Sequence, residues 1–295
     1  MKFERVLFHT QFRAYAFNSL NALLHLKKAG LKEVVLVYII PREAVGFVPY
    51  GGYLKDVEKR IHAEAESHFK DWQKSINKAG IRNIIRIKTG TLNASILQIA
   101  AQEKVDLIVT GAKKRTTLEK IYVGSHILDI LRRSQVPVLM GKYMVEFESD
   151  EGILSRKNSR IFERPLLATD WSDPSERGIS AIRALKGVVK SAVVTHVVDS
   201  KLIKGMDSSQ IAELEKESNR RLAAYRERLL KEMIPAEIHL AIGKSVPEIL
   251  RISRETEATL IIMGKTGKDW IEQYWLGGVS HRVAELSELP VLLVP

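Results

Sequence analysis

LIIMGKTGKDWIEQYWLGGVSHR, the run from Leu260 to Arg282, reads as a short buried strand, a glycine-punctuated loop and the first turn of a helix. Leu260-Ile261-Ile262-Met263 is apolar, too short for a helix and stopped at once by Gly264. Gly264 and Gly267 have no Cβ, which leaves room for a close ligand. After Gly277-Gly278, the spacing of Val279, Val283 and Leu286 suits one helix face. Free amides at a helix start, together with the positive end of its dipole, favour a phosphate. The stretch is therefore read as an anion cradle at the end of a strand.

Two familiar phosphate loops are excluded by spacing. A Walker A loop needs four residues between its first glycine and Gly-Lys-Ser/Thr, and Lys265-Thr266 lacks that frame. The Gly-x-Gly-x-x-Gly fingerprint belongs after the first strand of its unit. What the chain has instead is Gly264-x2-Gly267-x9-Gly277, with Ser280 at the helix start, and a faint second copy of it. Gly90, Gly111, Gly124 and Pro137 match Gly243, Gly264, Gly277 and Pro290, each pair 153 positions apart (243 − 90, 264 − 111, 277 − 124, 290 − 137). Thr10 matches Thr169 at an offset of 159, so the first half carries six more residues before Gly90. A duplicated domain follows.

Each half alternates strand-like and helix-like runs. The first reads Arg5–Phe8, Ala14–Ala29, Glu33–Ile40, Leu54–Lys78, Arg82–Lys88, Asn93–Glu103, Asp106–Thr110, Ser125–Arg133 and Val136–Met140. The second reads Pro165–Thr169, Pro174–Leu185, Ala192–Val198, Ser209–Lys231, Ala236–Ile242, Val246–Glu255, Leu260–Met263, Val279–Leu286 and Val291–Val294. This predicts an α/β protein of two repeated doubly wound domains, each a five-stranded parallel sheet with helices on both faces. Ligands in such sheets bind beyond the carboxyl ends of the strands, where strand order reverses. The pattern breaks over Tyr143–Glu163, so residues 1–143 and 164–295 are taken as the domains and 144–163 as a linker.

Composition narrows the classes. At 295 residues the chain can bury two cores, and the absence of cysteine removes disulfides, thiolate nucleophiles and cysteine zinc sites. Met1–Phe8 enters a strand directly with no signal-peptide core, and no apolar run nears the ~18 residues of a membrane helix. A soluble, cytoplasmic protein without membrane contact is expected. The net charge of +11 suits an anionic partner. Its densest region, Asn219–Lys231, is interleaved with Leu222, Tyr225, Glu227 and Leu229, which is the pattern of a wet helix face. Nucleic-acid binding is accordingly disfavoured.

Ala168-Thr169-Asp170 ends the first strand of the second half. A carboxylate there could accept from a ribose hydroxyl or an adenine amine. Asp173, followed by Pro174 and Glu176, reads as the cap of the next helix, which leaves Asp170 for a ligand. Lys244, Lys265, Lys268, His281 and Arg282 lie near the cradle in sequence; solvated surface is the default for each, with Lys268 the first to test. Trp270, Tyr274 and Trp275 in the loop are read as packing residues. No nucleophile–base pair or set of metal ligands stands out.

Thr169-Asp170, His196-Val197 and Met263-Gly264 with the spaced glycines together resemble an adenine-nucleotide-binding universal stress protein domain. The likeness covers the second half and, more faintly, the first, as in tandem members of that family. It departs at Gly278, where Ser or Thr is usual. The resemblance implies that Asp170 and the Val197 backbone hold the nucleoside, with Met263 and Gly264 by the ribose. Gly267, Gly277, Gly278, Val279 and Ser280 would surround the phosphates. It further implies ATP or AMP as ligand, Mg²⁺ arriving with ATP through its phosphates, and a stress-response sensor or regulator. A slow ATPase or another nucleotide-dependent enzyme on the same fold is the alternative. The first half has Gln11 for Asp170, Lys114 for Gly267 and Ile127 for Ser280, keeping only Gly111, Gly124 and Ser125, so one nucleotide site per chain is expected. The resemblance also implies that Val136–Met140 and Pro290–Val294, otherwise bare sheet edges, pack the halves as a pseudo-dimer, with scope for a homodimer.

Overall fold

The computed structural model describes residues 1–13, 15–46, 54–111, 125–142, 144–149, 152–265 and 278–295, with backbone alone for 125–128, 144–149 and 152–157. The first half runs β1 (Arg5–His9), α1 (Ala16–Leu23, prolonged as a 3₁₀ turn over Leu24–Ala29), β2 (Glu33–Pro41), α2 (Arg42–Val45), α3 (Lys55–Lys78) and β3 (Arg82–Gly90). It continues with α4 (Leu92–Gln102), β4 (Leu107–Gly111), α5 (Ser125–Arg133) and β5 (Val138–Gly141). After β6 (Met144–Ser149) and β7 (Gly152–Lys157) come β8 (Pro165–Ala168), α6 (Asp173–Ala184), β9 (Ala192–Asp199), α7 (Ser208–Lys231) and β10 (Ala236–Gly243). The chain closes with α8 (Ser245–Glu255), β11 (Leu260–Gly264), α9 (Val279–Leu286) and β12 (Val291–Val294).

These strands form one ten-stranded sheet in the order β10-β9-β8-β11-β12-β5-β4-β1-β2-β3. Within each half all pairings are parallel, and the strand order reverses between the first strand and its neighbour on the other side, β1/β4 and β8/β11. The halves meet where β5 and β12 pair antiparallel, Val138 with Leu293, Leu139 with Leu292 and Met140 with Val291. Each apolar edge strand therefore satisfies the other's backbone groups within a single chain. Inside the segment read as a linker, β6 and β7 pair antiparallel, with Glu146 opposite Ser155 and Val145 opposite Arg156.

Strand alternation sorts the core into two layers. Val6 and Phe8 pack with α1 and α3, and Leu167 with α6 and α7; Leu7 faces α4 and α5, and Leu166 and Ala168 face α8 and α9. The duplication shows in the long helices: α3 buries Ala65, Phe69, Trp72 and Ile76, and α7 buries Ser218, Leu222, Tyr225 and Leu229, the same four positions 153 residues on. Helix α7 starts with a reciprocal capping box between Asp207 and Gln210. Backbones of the two halves touch at Gly187, where a Cβ would stand 1.9 Å from Lys28 O. Among the described residues no helix is long and apolar enough to cross a membrane.

Candidate functional site

Met263 at the end of β11, Ala168 at the end of β8 and Thr195 within β9 lie in one row, because Met263 is in register with Ala168, and Ala168 with Thr195. Gly264, Thr169 and His196 come next along the same strands. Thr169 N–H extends the ladder to Thr195 O (2.9 Å). Its hydroxyl accepts the Trp171 amide (3.1 Å) and is bonded to Ser175 Oγ (3.0 Å) at the start of α6. Ala168, Thr169 and Met263 are buried, whereas Asp170 and Val197 are half-buried at the rim. Val197 packs against the core on the α8/α9 side.

Asp170 Oδ1 accepts from both the amide (3.1 Å) and the hydroxyl (2.5 Å) of Ser172. Ser172 occupies the position that precedes α6, and Asp173 is already the helix's first residue. This corrects the capping assignment: Asp173 adds its charge to the first turn but does not cap it. Glu176 is taken by the Tyr225 hydroxyl and by Arg228 (2.8 Å) rather than reaching back to a cap. Asp170 thus has a structural task of its own, fixing the turn into α6.

Trp171 has a left-handed backbone (φ 66), a strained state for a residue of its size. The strain recurs at its counterpart Phe12 (φ 53), whose amide bonds Thr10 Oγ1 (2.9 Å) in the same way. The surroundings differ. Phe12 packs on Tyr38, His68, Phe69 and Trp72. Trp171 packs on His196 and Tyr225 with the Arg221 guanidinium 5.6 Å from its ring centre. His196 Nδ1 lies 2.7 Å from Thr169 O; since a carbonyl only accepts, Nδ1 carries the proton.

On the other side of the row, Gly278 precedes α9 with φ −62 and ψ 164, a conformation open to any residue, and a Cβ there would meet nothing within 4 Å. Absence of Ser or Thr at 278 is therefore not forced by the backbone. The helix's internal bonding begins with Arg282 N–H to Gly278 O (3.1 Å), so the amides of Val279, Ser280 and His281 have no intrahelical acceptor. Ser280 Oγ donates to Lys265 O (3.0 Å), tying that first turn to the end of β11. Gly264 serves its own fold rather than leaving space. A Cβ there would be 2.8 Å from Pro174 Cβ and 3.0 Å from Ser175 N, so the glycine admits the first turn of α6.

The cations near the cradle are mostly engaged elsewhere. Lys265 is not solvated surface: it is half-buried, its ammonium donates to Arg132 O and Ser134 O (3.0 Å each), and burial lowers its pKa. Arg282 pairs with Glu285 (2.8 Å), and Lys244 is exposed beside α8. His281 is half-buried; both ring nitrogens lack a hydrogen-bond partner among the described residues, and burial lowers its pKa against the opposing pull of Glu285. Gly267, Lys268, Trp270, Tyr274, Trp275 and Gly277 lie outside the described residues, as do Lys114 and Gly124 of the first half. Among the described residues no group of His, Cys, Asp or Glu could hold a metal ion.

Sequence reasoning missed one position. In the register that aligns Thr10 with Thr169, His9 replaces Ala168. It is 7% exposed, its Nε2 has no partner among the described residues, and burial pushes its pKa down to about 4, with Arg13 adding to the effect. A neutral imidazole therefore fills the first half where the second half has a methyl group. The pair was legible one residue before Thr10 and Thr169.

The model of the universal stress protein family matches residues 2–142 and again 162–295. Universal stress protein YxiE of Bacillus subtilis is 28% identical over 147 residues, 45% of this chain and 99% of that protein. A universal stress protein of Mycolicibacterium smegmatis is 22% identical over 277 residues, 91% of this chain and 90% of the relative. In three dimensions, a universal stress protein from Archaeoglobus fulgidus superposes with a TM-score of 0.73 at 23% identity, covering 100% of this chain and 99% of the other.

Proposed function

The chain belongs to the universal stress protein family, and on that premise we propose that it is a stress-response regulator whose C-terminal half holds ATP or AMP. What supports this reading is that β8 and β11 flank one switch point of the sheet, that Asp170 follows β8, and that α9, whose first amides have no intrahelical acceptor, is the next described element after β11. Asp170 would take the ribose or base, the Val197 backbone the base, and Met263 and Gly264 the ribose. Gly267, Lys268, Gly277, Gly278, Val279 and Ser280 would receive the phosphates, with Ala168 and Thr169 forming the floor. Mg²⁺ would accompany ATP, held by its phosphates. In the N-terminal half the buried His9 takes the place of Ala168 and Gln11 lacks the charge of Asp170, so that half is read as a partner domain without a nucleotide. Because β5 and β12 already cover each other, one chain provides its own pair of domains.

Titration calorimetry with ATP and with AMP tests this. One binding event per chain is expected, weakened at least about tenfold in Gly267→Lys, which copies Lys114 into the second half. Absence of binding heat with either nucleotide would contradict the proposal.

A further inference from the structure

Two lysines cross the seam between the halves in opposite directions. Lys142, the residue after β5, is buried, and its ammonium donates to Ala284 O (3.2 Å) and Ser287 O at the carbonyl end of α9. Lys265, the residue after β11, donates to carbonyls at the end of α5. The exchange is reciprocal in space and not in sequence, since 153 positions after Lys142 stands Pro295. Helix α9 has eight residues and is therefore about 12 Å long. Its amide end is the proposed phosphate cradle; its carbonyl end is held by a residue of the other domain.

We infer that Lys142 is a positioning residue for the nucleotide site of the opposite half, fixing α9 at its carbonyl end and strengthening, by its charge, the hold of the amide end on an anion. The inference rests on the nucleotide reading above. A cation at the negative pole and an anion at the positive pole both favour the same helix and the same placement, so each promotes the other. Lys142 is also suited to vary. Burial pushes its pKa down to about 7, with Glu288 pulling the other way. Glu288 is the carboxylate facing it from beyond α9 and is itself paired with Arg254 of α8 (2.9 and 3.1 Å). Among the described residues, the other side chains that line the small cavity beside it, Ser19, Ala22 and Leu23 of α1, Val109 of β4, Leu139 of β5, Asn158 and Ile161, carry no charge. Lys142 therefore changes charge near neutrality, and a nucleotide on α9 would raise its proton affinity.

The sign follows. Protonated Lys142 favours the bound anion, so affinity is highest below about pH 7 and falls as pH rises through that value. The terminal phosphate of the nucleotide titrates near pH 6 and acts in the opposite sense, so the informative quantity is the parent-to-variant ratio. The experiment is calorimetric titration of the full chain with ATP and AMP from about pH 6 to pH 9, for the parent, Lys142→Met and Glu288→Gln. Relative to Lys142→Met, the parent should lose about fivefold in affinity across the range, as expected of a charge ~12 Å away in a partly buried setting. Glu288→Gln, which keeps the lysine, should move the midpoint of that loss to lower pH. Superimposable profiles for parent and Lys142→Met would overturn the inference while leaving nucleotide binding standing. Should Lys142→Met fail to fold by circular dichroism, Glu288→Gln decides, and an unmoved midpoint overturns it. No binding by the parent overturns both readings.

Discussion

The two halves use one backbone device for two kinds of interior. Each follows its first strand with a threonine whose hydroxyl captures the amide two residues on, with Phe12 in one case and Trp171 in the other in the left-handed region. Around Phe12 the neighbours are Tyr38, His68, Phe69 and Trp72; around Trp171 they are His196, Arg221 and Tyr225, and the carboxylate of Glu176 joins through Tyr225. At the carboxyl ends of β1 and β8 the contrast sharpens, His9 with Gln11 against Ala168 with Asp170. A duplicated fold can keep its geometry through backbone hydrogen bonds while the side chains at the switch point diverge. Packing explains the shared geometry; on the proposed reading, ligand chemistry explains the divergence.

The sharpest way to break the contrast is to exchange its floor. Ala168→His, which copies His9, should weaken ATP or AMP by about 100-fold, some 3 kcal/mol, because an imidazole takes the place of the ligand. Calorimetry checks this, and affinity within about twofold of the parent would show that the floor does not distinguish the halves.

A second prediction concerns His9 and stability. Its folded pKa of about 4 lies below the ordinary 6.5, so the unfolded chain binds the proton more readily. The stabilising effect is complete above about pH 6.5 and is lost as pH falls toward 4, by about 3 kcal/mol. Urea unfolding at about pH 7 and pH 5 should show a steeper acid loss in the parent than in His9→Asn; equal slopes would place the imidazole in water.

Asp170→Asn retains an acceptor for Ser172 and removes the charge. We expect about tenfold weaker nucleotide binding with an unchanged melting temperature. If stability falls and affinity holds, the carboxylate serves only the turn into α6. The smallest effect belongs to Gly278→Ser, which restores the usual family residue in a conformation that admits it. Stability should change by only a few tenths of a kcal/mol, with binding about threefold tighter; a large destabilisation would contradict the open space beside Gly278.

Much of this architecture was readable from residue spacing. The constant offset between Gly111 and Gly264, and between Pro137 and Pro290, reports equal element lengths after the third strand of each half, and the shared buried positions of α3 and α7 follow the same register. The cap of α6 was misread because Ser172 and Asp173 both suit a position before Pro174; what decides it is the bond from Ser172 to Asp170. The crossed lysines were not legible at all. Lys142 meets its acceptors 142 and 145 residues away, and local pattern carries no trace of such a contact. The antiparallel seam itself could be expected only from the family resemblance and from two apolar strands with no other cover.

The central claim is that one half of the duplication holds a nucleotide and the other does not. Binding stoichiometry with the ligand located in a crystal grown from saturating AMP tests it most directly. The account predicts one nucleotide per chain, its phosphate at the first turn of α9 and its nucleoside against Asp170. Two per chain, or one lodged beside His9 and Gln11, would contradict it.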